Sequence, residues 1–105
     1  MSIAELNIVD AIGVDKKENA LRMMISDHLD WEDKDVHLEI LQEKINAYLQ
    51  YLGNKQYESK YGDDFEKVII EIHFKELPPV ECEIFLEEVS KRLNQYNIEM
   101  ISCHS

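Results

Sequence analysis

Ile25-Ser26-Asp27-His28-Leu29-Asp30-Trp31-Glu32-Asp33 marks the point where a strand ends and the longest helix begins. Before it, over Ala20 to Ser26, Leu21, Met23 and Ile25 alternate with Arg22, Met24 and Ser26. That period of two puts an apolar set on one face of a strand. After it, Leu38, Leu41, Ile45, Tyr48 and Leu52 recur at spacings of three and four, the stripe of a helix lying on a core. Ile40, Ala47 and Leu49 widen the stripe. Glu39, Gln42, Glu43, Lys44, Asn46 and Gln50 are assigned to the wet side, and Gly53-Asn54 supplies the stop.

Working outward, residues 1–7 read as a loose arm and Ile8 to Val14 as a strand weakened by Gly13. Asp15 to Asn19 is polar and turn-like, so this strand and the next should form an antiparallel hairpin. Downstream, Lys55 to Tyr61 suits a short helical turn closed by Gly62. Lys67 to Lys75 is the clearest strand, with Val68, Ile70, Ile72 and Phe74 facing the helices. Pro78-Pro79 breaks it and opens a second helix carrying Cys82, Phe85, Leu86, Val89, Leu93 and Tyr96 on one face. Asn97 ends that helix, and Ile98 to Cys103 forms a last short strand.

The order β-β-α-β-α-β describes one α+β domain over residues 1–105. It is a two-layer sandwich, a four-stranded sheet with two main helices on one face. Strand order stays open. The uncovered face would carry Met24, Ile69 and Ile101, apolar enough for a partner or a second copy to cover it.

With 105 residues the chain can bury about 60% of its unfolded surface, so neither disulfide nor metal is needed to fold it. Twenty-two acidic against 11 basic residues give a net charge of −11. Such a field repels nucleic acid and anionic membranes, and it attracts a basic protein or a cation. The two cysteines, Cys82 and Cys103, have no zinc spacing, and Glu81 and Glu83 disfavour a thiolate at Cys82. The N-terminus carries no signal-peptide pattern and no apolar run reaches membrane-spanning length, so cytoplasmic residence is expected. Nucleotide cradles and nucleophile elbows are absent, and no cofactor is called for.

Three groups of side chains are candidates for function. Asp27, His28 and Asp30, with His37 one or two turns on, pair carboxylates with imidazoles, as general base catalysis or a divalent metal requires. The competing reading is structural: Asp30 or Asp33 caps the helix, Glu32, Asp33 and Asp35 suit its positive end, and Trp31 packs the corner. Asp27 falls on the inward face, where a charge needs a partner. The tyrosines Tyr48, Tyr51, Tyr57 and Tyr61 form the second group. Tyr48 belongs to the core stripe, and Tyr51 lies off it as an interface candidate. Third is an acidic surface of Asp63, Asp64, Glu66, Glu81, Glu83, Glu87 and Glu88, either plain solvation or a dock for a basic partner. His73 reads as an isolated outward strand residue and His104 as disordered.

The block Ile25 to Trp31, followed by His37-Leu38 and Leu41 to Tyr48, resembles a family of small bacterial proteins of unknown function. Members share an Asn-x-Val-Asp-x-Ile-Gly block, here Asn7 to Gly13. The resemblance implies a bacterial source and a stand-alone domain, and it supplies no reaction. The expected role is a non-catalytic protein-interaction module that associates with itself as a homodimer or binds a basic protein, as an immunity-type inhibitor does. Its binding residues would be drawn from Asp27, His28, Trp31, His37 and Tyr51. The alternative is a metal-dependent or acid-base enzyme centred on Asp27, His28, Asp30 and His37.

Overall fold

A computed structural model describes residues 9–104. The elements run β1 (Ala11–Asp15), β2 (Ala20–Asp27), α1 (Lys34–Gly53), α2 (Glu58–Tyr61), β3 (Lys67–Phe74), α3 (Val80–Asn94) and β4 (Ile98–His104). The sheet order is β1-β2-β3-β4. β1 and β2 are antiparallel, whereas β2–β3 and β3–β4 are parallel. A parallel pair needs a long crossover, which α1 with α2 supplies in the first case and α3 in the second.

The alternation in β2 and β3 decides where the core forms. Met23 and Ile25 of β2 and Ile70, Ile72 and Phe74 of β3 meet Leu41, Ile45 and Tyr48 of α1 and Cys82 and Leu86 of α3. Both main helices therefore cover one face, and the two-layer α+β sandwich is the observed architecture. Asp33 caps α1, its side chain accepting from the Val36 N–H. Pro79 is the N-cap of α3.

The first strand begins at Ala11 and takes in Asp15, which was expected in the turn; Ile8 and the arm of residues 1–7 lie outside the described residues. Asp15 does both jobs: its carboxylate accepts from the Lys17 and Glu18 N–H groups while it bonds Arg22. Asn19 reverses the chain at φ 51°, a left-handed conformation that Asn tolerates. α3 ends at Asn94, ahead of Tyr96, so Tyr96 is exposed rather than part of the buried stripe. Asn97, at φ 60°, turns the chain into β4. His104, expected to be disordered, closes β4 opposite Phe74.

Two further corrections concern polarity. Lys44, assigned to the wet side of α1, is fully buried. It sits three residues after Leu41 and four before Tyr48, so helix geometry puts it within the buried stripe. The sheet face that no helix of the described residues covers is also less apolar than expected. Ile69 is fully buried, Met24 and Ile101 are half-buried, and ion pairs of Arg22 with Asp15 and Glu71 and of Lys67 with Glu99 lie among them. No helix of the described residues is long and apolar enough to cross a membrane.

Candidate functional site

The last residue of β2, Asp27, follows Met23 and Ile25 onto the helix side and is buried there. Its partner is His37, in the first turns of α1: Nε2 lies 2.6 Å from Asp27 Oδ2. The other ring nitrogen, Nδ1, donates to the Asp30 carbonyl oxygen at 2.8 Å, because a carbonyl can only accept. One proton then occupies the short bond between Nε2 and the carboxylate. The second carboxylate oxygen, Oδ1, accepts from the Leu29 N–H at 3.1 Å. Burial pushes the Asp27 carboxyl above its ordinary range, and the His37 bond opposes that shift.

Trp31 closes the pair from outside. Its ring stacks on His37 with centroids 3.6 Å apart and planes 14° apart, and it also meets the Phe74 ring at a tilt of 46°, centroids 5.9 Å apart. Its Nε1–H donates to the Glu76 carbonyl at 3.3 Å, tying the corner to the segment that leads into α3. The structure thus brings Asp27, Trp31 and His37 together. His28 points outward and is exposed, and the Asp30 carboxylate accepts from the Glu32 N–H in a local turn. Tyr51 stands apart, its ring 6.3 Å from that of Tyr57, whose hydroxyl donates to Asp63.

A recess of about 210 Å³ between Leu29, Asp30, Asp33, Val36 and Ile40 reaches His37. The His37 side chain is only 2% exposed and both its nitrogens are committed. A general base or a metal ligand needs a free nitrogen lone pair, and this ring offers none in this arrangement. Nearby Cys82 is buried, and desolvation, with help from Asp27 and Glu83, pushes its thiol up to about 12. Both cysteines are free.

A second buried polar cluster escaped the sequence reading. Lys44 Nζ bonds Asp10 Oδ1 at 3.1 Å, and the other Asp10 oxygen accepts from the Ser26 N–H at 2.8 Å. The Tyr48 hydroxyl accepts from the Asp10 N–H at 2.8 Å and donates to the Met24 carbonyl. Burial raises the Tyr48 pKa well above that of an ordinary phenol. These groups pin the chain before β1 and the back of α1 to β2. The available signal was the position of Lys44 on the buried stripe. On the uncovered face, Glu71, His73 and Cys103 stand close together, so His73 is not isolated.

A β-β-α-β-α-β sandwich whose buried polar groups satisfy one another defines a class of fold rather than a class of reaction. The model of a family of unknown function, DUF6572, matches residues 1–104, and the chain belongs to that family. No curated protein and no solved structure matches it.

Proposed function

We propose that the protein is a non-catalytic interaction module that docks a basic partner protein on the outer face of α3. One observation carries this reading. Val80 and Ile84, one turn apart on α3, are 61% and 57% exposed, and Leu77 just before the helix is 69% exposed. Residues four apart lie side by side on a helix, so Val80 and Ile84 form an apolar ridge turned away from the core.

Carboxylates frame the ridge. Glu81 pairs with Lys34 and Glu87 with Lys91, whereas Glu83 and Glu88 have no ion-pair partner among the described residues. An apolar centre inside an acidic rim, on a chain of net charge −11, complements a basic surface with an apolar centre of its own. An inhibitor of a basic enzyme is the concrete form of such a module. Support for self-association through the uncovered sheet face is weaker, because Ile69 is already covered and ion pairs occupy that face. Support for an enzyme at Asp27 and His37 is weaker too, since the pair is closed and saturated.

The test is affinity capture on the wild-type chain and on Ile84→Asp, followed by identification of the retained protein and titration of the purified pair. The expected partner is basic, and its affinity falls at least about tenfold with Ile84→Asp, the loss of burying one Ile side chain. Raising salt weakens it further. If no protein distinguishes wild type from Ile84→Asp, or the partner is acidic and insensitive to salt, the reading fails.

A further inference from the structure

The uncovered sheet face holds a set of ligating side chains that comes from pairing geometry. Along β3, Glu71 and His73 are two residues apart and so share a face. The parallel register sets His73 beside Cys103 of β4 and Glu71 beside Ile101. Neighbouring strands lie about 4.8 Å apart, so an imidazole, a thiol and a longer carboxylate on these positions converge. One ligand atom from each of Glu71, His73 and Cys103 lies within 4.8 Å of the others.

The carboxylate is already divided between two tasks. Glu71 Oε2 is held by the Arg22 guanidinium, while Oε1 lies 3.4 Å from His73 Nε2. Arg22 thereby orients Glu71 from behind, the role outer-shell partners play at metal sites. Its own charge is offset by Asp15 and Glu18. His73 is 46% exposed and Glu71 23%, and Cys103 is half-buried, so a cation reaches the cluster directly from solvent.

We propose that Glu71, His73 and Cys103 form a binding site for a zinc-class transition-metal ion, with three protein ligands and a fourth position open to solvent. Nitrogen, sulfur and oxygen donors together suit zinc, whereas magnesium and calcium take oxygen alone. Metal–ligand bonds of about 2.0–2.3 Å put tetrahedral ligands roughly 3.5 Å apart. The cluster therefore closes by about 1 Å, within the reach of side-chain rotation on a fixed sheet. The net charge of −11 favours entry of a cation. The site is independent of the α3 face and stands or falls separately.

The probe is cobalt(II), added to the reduced full chain and followed by absorption. The expected result is one ion per chain, with a thiolate-to-cobalt charge-transfer band in the near ultraviolet that zinc bleaches. Cys103→Ser abolishes that band, and His73→Ala weakens binding at least about tenfold. Both positions are solvent-accessible, and an unchanged circular dichroism spectrum shows that each variant is folded. Absence of the band, its survival in Cys103→Ser, or wild-type affinity in His73→Ala overturns the proposal.

Discussion

The two faces of one sheet use the same residue types in opposite ways. On the helix side, Asp27 and His37, and Asp10 and Lys44, have side chains no more than 2% exposed. On the other side, Arg22 is 35% exposed and spreads over Asp15, Glu18 and Glu71. β2 alone contributes Asp27 to the first and Arg22 to the second. Buried polar groups must be saturated by the protein, since an unpaired one loses its water without replacement. Groups on the wet face are under no such demand, and their remaining valences can go to a ligand. A carboxylate–imidazole pair in the interior is therefore a strut, and a looser one outside is a binding opportunity.

Lys44→Met should break this contrast most severely. It leaves Asp10 buried without its cation, and losing one partner of a buried ion pair costs about 3–5 kcal/mol. Urea unfolding followed by circular dichroism measures it. Wild-type stability in this variant would mean that Asp10 is solvated from elsewhere.

His37→Phe should come next, at about 2 kcal/mol. The ring keeps its place under Trp31, but Asp27 loses the bond that opposes its raised pKa. A carboxyl whose folded pKa lies above the unfolded value of about 3.9 adds stability below that value and loses it as pH rises through the folded one. The variant is therefore weakest near pH 7, and its gap from wild type narrows toward pH 4. A gap that is constant with pH would show that Asp27 does not titrate in the fold.

Arg22→Gln on the wet face should have the smallest effect. Its ion pairs with Asp15 and Glu71 are half-buried on the solvent side of the sheet, so salt reduces the loss without removing it. Arg22 holds the Asp15 carboxyl below its usual range. That contribution is present above the unfolded pKa and lost as pH falls through the folded one, so the variant has a shallower acid limb in thermal denaturation. An unchanged acid limb would place the shift elsewhere.

Much of this was legible beforehand. The alternation of Val68 to Lys75 and the stripe from Leu38 to Leu52 show which faces are buried, because burial is written in period. A carboxylate at the inward position of Asp27 demands a buried partner, although the sequence does not show that the partner is His37. At Lys44 charge points to the wet side of α1 and helical position to the buried stripe, and position wins because Asp10 supplies the counter-charge. Glu71, His73 and Cys103 were invisible as a group. Their meeting depends on the register between two strands joined by α3, which no local pattern encodes. Tyr96 continues the spacing of the α3 stripe in sequence, but the helix stops at Asn94 and leaves its side chain in solvent.

The sheet order repeats the order of synthesis, β1-β2-β3-β4. Each strand pairs with the one made immediately before it, and no later segment must be inserted between strands already joined. Assembly can therefore proceed vectorially as the chain leaves the ribosome, with the hairpin waiting as a template for β3 and the three-stranded sheet for β4. On that route Cys103 joins Glu71 and His73 only when β4 pairs with β3, so cobalt binding would also report that pairing.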